Sequence, residues 1–197
     1  MFSGIIENIG KVKEFKKKGD CQLIIHSNFK IKEIKIGSSI ACNGVCLTVH
    51  TTKKIDSFVA ISFDVSKETM ECSNFSDLKV GSVINLEKSL RLGDEVSGHF
   101  VFGHVDDALK LLSVNKKGES HEIILEIPRK IKKFIVKKGS ITLNGISLTI
   151  NKVTSKTITL NIIPYTWKNT NLHLIQIGER INVEVDMLAR YVTQNLK

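Results

Sequence analysis

Proline is scarce in these 197 residues, with only Pro128 and Pro164, and tryptophan occurs once, as Trp167. No run of about 18 apolar residues exists, which excludes a membrane-spanning helix. The N-terminus has neither the basic region nor the long apolar stretch of a secretory signal. All four cysteines, Cys21, Cys42, Cys46 and Cys72, fall in the first half. A disulfide framework shared by both halves is thereby excluded, and a reducing cytoplasm is the simplest setting. There is no Gly-rich phosphate loop and no dinucleotide fingerprint leading into a helix. Acidic residues are outnumbered, leaving a net charge of +9. The lysines come in short scattered runs (Lys16–Lys18, Lys53–Lys54, Arg129–Lys133, Lys137–Lys138) without interleaved aromatics. That pattern suits a solvated surface better than a nucleic-acid track.

What is present is a repeat. Ile40-Ala-Cys-Asn-Gly-Val-Cys-Leu-Thr-Val49 returns as Ile141-Thr-Leu-Asn-Gly-Ile-Ser-Leu-Thr-Ile150. Gly81-Ser-Val-Ile-Asn-Leu-Glu87 returns as Gly178-Glu-Arg-Ile-Asn-Val-Glu184, and Gly4-Ile-Ile-Glu7 corresponds to Gly103-His-Val-Asp106. The period, about a hundred residues, is that of a whole domain rather than a solenoid unit. The chain divides into a first copy (1–95), a second copy (96–186) and a tail (187–197), joined near Arg91–Gly98. The hydrophobic fraction, 42%, is ample for two small cores.

Short apolar and β-branched runs with period-two alternation recur at Gln22–His26, Ile40–Val49, Val59–Val65, Val83–Leu86, Glu122–Ile127, Ile141–Ile150, Thr157–Ile163 and Arg180–Val185. Strands at this density predict antiparallel barrels or sandwiches, and closure into a barrel removes exposed edges. Asn43-Gly44 and Asn144-Gly145 are turn or bulge signals. They would leave Cys46 and Thr48, and Ser147 and Thr149, projecting from one face of a strand. Short helices are expected at Ser66–Asn74 (Ser66 as N-cap), Arg129–Val136, Thr166–Leu174 and Met187–Leu196.

Chemistry is sought in the differences between copies. Cys46 stands opposite Ser147, Ile5 opposite His104, and Ser89 opposite Asp186. The second copy therefore holds a histidine and a carboxylate that can move protons. The bland alternatives are a structural histidine at 104 and a helix cap at 186. Cys42, Cys46 and His50 are four apart; along a strand four residues span about 13 Å, too far for one metal ion, so no metal site is expected.

Met1-Phe-Ser-Gly-Ile-Ile-Glu7, Asn43-Gly-Val-Cys-Leu-Thr48, Lys67-Glu-Thr69, Gly98-His-Phe-Val-Phe-Gly-His104 and Asn144-Gly-Ile-Ser-Leu-Thr149 together resemble the alpha-type riboflavin synthase family over essentially the whole chain. The resemblance implies an all-β chain of two tandem homologous six-stranded antiparallel barrels with a short C-terminal oligomerisation helix, assembled as a homotrimer. It implies dismutation of two 6,7-dimethyl-8-ribityllumazine molecules into riboflavin and 5-amino-6-ribitylamino-uracil, without metal or cofactor. Each active site would join the first barrel of one chain to the second barrel of another. By the same resemblance, Cys46, Leu47, Thr48, Asp64, Val65, Ser66, Lys67, Glu68 and Thr69 form the first pocket. Gly4, Ile5, Ile6, Ser147, Leu148, Thr149, Asn161, Ile162, Ile163, Pro164, Tyr165 and Thr166 form the second. Gly103, His104, Val105 and Lys138 lie near the meeting place, Phe2 packs at the site, and Ser39 and Asp186 are polar site positions. Cys46, His104, Ser147, Thr149 and Asp186 are the catalytic candidates, with His104 and Thr149 as proton-handling partners. Asn144 stands where some members carry an aspartate.

Two other readings compete. A non-catalytic lumazine- or flavin-binding protein of the same fold would let one pocket decay, whereas Ser147, Thr149, His104 and Asp186 are all present. A basic barrel binding single-stranded nucleic acid would show steep salt dependence.

Overall fold

The computed structural model describes residues 1–16 and 21–195. Lys17 and Lys18 of the first lysine run, and Leu196 and Lys197 of the tail, lie outside the described residues. Strands β1 (Asn8–Lys16), β2 (Cys21–Ser27), β3 (Ser39–Cys42), β4 (Val45–Ile55), β5 (Phe58–Val65) and β6 (Val83–Lys88) close into one antiparallel barrel, in the order β1-β2-β5-β4-β3-β6. Strands β7 (Asp107–Lys117), β8 (Ser120–Glu126), β9 (Ser140–Leu143), β10 (Ile146–Val153), β11 (Thr157–Ile162) and β12 (Arg180–Val185) close a second barrel in the same relative order. Even the ladder irregularities repeat. β1 and β7 shift register at Val12/Glu14 and Leu111/Ser113, and β4 and β10 at Val49/Thr51 and Ile150/Lys152.

Alternation puts one side-chain row of each strand inside. Leu23, Ile25, Ile61, Phe63, Ile84 and Leu86 are fully buried in the first barrel, and Leu125, Ile141, Leu143, Ile158, Leu160 and Val183 in the second. Truncating one such Leu or Ile to Ala costs about 2–5 kcal/mol.

Two runs that read as single strands are hairpins. Ile40–Val49 splits into β3 and β4, and Ile141–Ile150 into β9 and β10. Asn43 (φ 47°) with Gly44 (φ 78°), and Asn144 (φ 45°) with Gly145 (φ 83°), both take the left-handed conformations of a two-residue type I′ turn. The thiols of Cys42 and Cys46 consequently face opposite ways, one into the core and one outward. Strands β1 and β7 escaped the alternation test. Their bulges break the period, and in β1 the inward position 10 is a glycine. Its missing Cβ would meet Ile25 and Leu86 at 2.5 and 2.7 Å.

The helices are shorter than their sequence patterns. Helix α1 (Lys67–Cys72) has Ser66 as N-cap, whose Oγ accepts the Thr69 N–H at 3.1 Å. The segment expected at 129–136 yields only α2 (Arg129–Lys132), one turn that buries Ile131 alone. Helix α3 (Pro164–Asn169) stops at extended Thr170, and a separate 3-10 turn covers Asn171–Leu174. In the first copy Ser73 likewise interrupts, before a 3-10 turn at Asn74–Asp77. Each break turns an asparagine, Asn74 or Asn171, into the seam between the barrels. The tail forms α4 (Met187–Asn195).

That seam is a pseudo-twofold lattice of buried asparagines. Asn85 Nδ2 donates to the Asn144 carbonyl (3.0 Å) and Asn182 Nδ2 to the Asn43 carbonyl (2.9 Å). Asn171 N–H donates to Asn85 Oδ1 (2.8 Å) and Asn74 N–H to Asn182 Oδ1 (2.6 Å). The two hairpin turns sit back to back: a Cβ on Gly44 would lie 2.7 Å from the Gly145 nitrogen. Asn-Gly is thus required twice over, by the turn and by the contact. Asn144 is one of these lattice residues. Its Oδ1 accepts the Asn182 N–H at 2.9 Å, and its Nδ2 reaches Asn171 Oδ1 at 3.4 Å.

Candidate active site

Each barrel lends a backbone arm to the other. On the last strand of the first barrel, Glu87 is buried and accepts the N–H groups of Ser3 (2.7 Å) and Gly4 (3.1 Å). On the last strand of the second, buried Glu184 accepts those of Phe102 (2.7 Å), Gly103 (2.8 Å) and His104 (3.0 Å). The arms so held then cross over. The Gly4 carbonyl accepts the N–H of Ser147 (2.8 Å), and the Gly103 carbonyl accepts that of Cys46 (2.9 Å). Contact is close enough that a Cβ on Gly4 or Gly103 would sit 2.6 or 2.5 Å from the Ser147 or Cys46 Cβ. Between the arms, Phe2 and Val101 bridge as a short antiparallel pair. Burial raises both carboxyls, that of Glu87 to about 7, against the downward pull of the N–H donors.

The outward row of β4 carries the first site. Cys46 and Thr48 lie on the face opposite the core-facing Val45, Leu47 and Val49, and His50 follows them outward. Cys46, Leu47, Thr48, Asp64, Ser66 and Thr69 line one cavity of about 580 Å³, together with Ile36, Gly37, Val49 and His50. The structure therefore brings together six of the nine residues expected there. Val65 is buried in the core, and Lys67 and Glu68 stand exposed on the first turn of α1. Ser39 pairs with Thr48 in the ladder but lines a separate depression, with Ser3, Ile5, Glu87 and Ser89. Where the Gly103 arm crosses, Cys46 and Ala41 pack with Phe2 and Val101. Val105 packs on the first core, and the His104 ring tilts against Phe102 at 6.3 Å.

The outward row of β10 repeats the frame with different groups. Ser147 pairs with Thr142 and Thr149 with Ser140. Gly4 crosses at Ser147, and Ile6 packs on the second core. Asn161, next to last in β11, is exposed beside core-facing Ile162. Ile163 caps α3, which carries Pro164, exposed Tyr165 and half-buried Thr166. Lys138 occupies a left-handed conformation (φ 68°) where the first copy has Gly37 (φ 81°). Asp186 caps α4, accepting the Leu188 N–H at 2.9 Å.

Sequence reasoning passed over His99, although it lay in a quoted motif. Its Nδ1 is 2.7 Å from Ser147 Oγ and its Nε2 3.1 Å from Thr142 Oγ1. Burial lowers its pKa, while the Asp186 charge pulls the other way. A neutral ring has one donor and one acceptor nitrogen, so it fixes the direction of both hydroxyls. The buried pair Glu87 and Glu184 was also missed, although both end the repeated Gly-to-Glu phrase. A glutamate recurring on the outward row, directly after core-facing Leu86 or Val183, is the signal that could have found them.

Two closed barrels, each with a polar outer row crossed by the partner's arm, define a tandem small-molecule-binding protein. Residues 3–89 and 102–186 each match the family described as lumazine binding domain. A protein named riboflavin synthase from Photobacterium leiognathi is 39% identical over 100% of this chain and 89% of its own length. Those from Brucella abortus (38%, over 98% and 97%) and Bacillus subtilis (37%, over 98% and 88%) are similarly alike. The chain belongs to the riboflavin synthase family. A solved structure of LumP complexed with riboflavin superposes with a TM-score of 0.83, covering 94% of this chain and 99% of that one. At 23% identity it shows the shared fold.

Proposed function

We propose that the chain carries out the riboflavin synthase reaction, passing a four-carbon unit between two 6,7-dimethyl-8-ribityllumazine molecules to give riboflavin and 5-amino-6-ribitylamino-uracil. The two substrates contain every atom of the two products, so no oxidant or reductant enters. The observation that carries this reading, beyond the full-length likeness to proteins of that name, is that two matching frames present different polar groups. Two copies of one substrate in unlike roles call for such a pair. Stacking both rings in a fixed orientation replaces a bimolecular encounter and supplies up to about 7–11 kcal/mol of the barrier. A base must remove a proton from the ring methyl of one lumazine, and a nucleophile must attack the neighbouring ring carbon. Thr149 and His104 are the proposed proton-handling pair. Ser147 and Cys46 are the groups set at the two arm crossings, and Asp186 adds negative charge near His99.

The site is proposed to form between chains. His104 directly follows the carbonyl that takes the Cys46 N–H, so within one chain it travels with the first barrel. Thr149 belongs to the second. Bringing the two together calls for a neighbouring chain, and a homotrimer fits that need. The apolar Leu188, Tyr191 and Val192, exposed on one side of α4, offer a contact for it. A cytoplasmic setting suits the free thiols of Cys42, Cys46 and Cys72. No helix among the described residues is long and apolar enough to cross a membrane.

The test is to incubate purified protein with the lumazine alone and follow riboflavin fluorescence. Riboflavin formed without any addition supports the enzyme. Tight lumazine binding without turnover would assign a binding protein instead, and no binding at all would overturn both.

A further inference from the structure

One pair at the first pocket is not used by the proposed chemistry. His50 Nδ1 lies 2.9 Å from Asp64 Oδ2, and both residues line the 580 Å³ cavity. His50 is the extra residue of the β4 bulge: Val49 pairs with Phe63 and Thr51 with Ser62, leaving His50 without a ladder partner. A bulge re-aims a side chain, and here it turns an imidazole into the cavity that Thr48, Ser66 and Thr69 also face. The second copy has the same bulge, with Asn151 at the extra position between Ile150 and Lys152. There Asn161 replaces Asp64, and its N–H donates to Asn151 Oδ1 at 2.9 Å. The second copy's pair is neutral and tied to the backbone, whereas the first copy's is a carboxylate orienting a free-standing ring.

We infer that His50, held by Asp64, is a ligand-contacting residue of the first pocket and gives it a polar grip that the second pocket lacks. With Nδ1–H donating to Asp64, the neutral ring presents Nε2 as an acceptor. It takes a hydrogen-bond donor of the ligand, either an imide N–H of the heterocycle or a hydroxyl of the ribityl chain. Asp64 is a positioning residue: it sets which nitrogen carries the proton and which way the ring points. The inference rests on the proposed binding of lumazine and flavin and adds to it the group that makes the first pocket distinct.

The experiment is a titration of the full-length protein with riboflavin, read by quenching of flavin fluorescence and fitted for each class of site. The His50→Ala variant should weaken one class about tenfold and leave the other unchanged. His50→Gln, which keeps an acceptor, should recover part of that loss. Asp64→Ala should produce a smaller loss that is not additive with His50→Ala. Both side chains are more than half exposed (53% and 66%), so the melting temperature should hold and a folding defect would be visible. Repeating the titration with lumichrome, which lacks the ribityl chain, separates the two donors. An effect seen with riboflavin alone assigns the hydroxyls, and an effect with both assigns the imide. Riboflavin binding by His50→Ala at wild-type strength, or equal weakening of both classes, overturns the inference alone. A wild type that binds no riboflavin overturns the functional reading and the inference with it.

Discussion

The two barrels agree where geometry is at stake and differ where a ligand would be met. Both keep the Asn-Gly turns, the buried glutamate that holds an arm, the crossing glycine, and both pairs of bulges. These positions act on backbone, so a change in either copy would disturb strand register or the seam. The differences cluster on the outward rows of β4 and β10 and the segments beside them. Apolar Phe2, Val101 and Ala41 surround Cys46, whereas His99, itself bonded by Thr142, holds the Ser147 hydroxyl. Gly37 gives way to Lys138, and His50 with Asp64 to Asn151 with Asn161. Duplication supplied one scaffold twice, and side chains that carry no backbone load were free to diverge.

The sharpest way to break this contrast is to make the second crossing as apolar as the first. His99→Ala leaves the Ser147 and Thr142 hydroxyls without their shared partner. Turnover should fall about a hundredfold, roughly 2.7 kcal/mol in the barrier, with a much smaller change in KM. A rise in KM at unchanged kcat would assign His99 to substrate holding instead.

The shared features are tested through the seam. Asn144→Asp removes the amide donor to Asn171 and buries a carboxylate where the lattice needs a neutral amide. Unfolding in urea should show a loss of about 1–3 kcal/mol. Undiminished stability would mean that the lattice relaxes around the charge.

Glu87 gives the shared arm anchor a pH signature. Its folded-state pKa is raised, from 4.5 to about 7. The protonated form is therefore the one that folding favours. Its contribution is fully present below 4.5 and is lost as pH rises through 7. Glu87→Gln cannot titrate, so the gap in melting temperature between wild type and variant should shift against the wild type across that window. A gap independent of pH would contradict the assignment.

The smallest effect concerns Lys138, the one lysine held left-handed among the described residues. Lys138→Gly should raise stability by about 1 kcal/mol, because glycine adopts that backbone without steric cost. It should also weaken ligand binding at the second pocket, since a conformation retained at a cost implies a use. Improved stability with unaltered binding would leave the lysine's strain unexplained.

Much of this was legible from the chain. The repeat, the Asn-Gly turns, the Ser66 cap and the outward Cys46/Thr48 and Ser147/Thr149 rows rest on local patterns of a few residues. What stayed hidden depends on partners far along the chain. Nothing near Asn43 says that its turn packs on Gly145, and nothing near His99 says that Ser147 and Thr142 flank it. The bulge that aims His50 shows only once the β4–β5 register is known, because the residues around it keep an ordinary strand composition. Helix ends were misjudged at Ser73 and Thr170 for the same reason: the chain breaks there to send Asn74 and Asn171 into the seam.

The central claim, that unlike barrels from different chains complete one site, is tested by mixing two damaged proteins. Cys46→Ala impairs the first barrel and Ser147→Ala the second, and each variant alone should turn over poorly. Unfolded and refolded together, they form mixed oligomers in which some interfaces join an intact first barrel to an intact second barrel. Activity well above both parents, absent when the variants are refolded apart and then combined, is the expected result. Mixed oligomers verified by native mass spectrometry yet no more active than the parents would place both halves of the site within one chain and contradict the account.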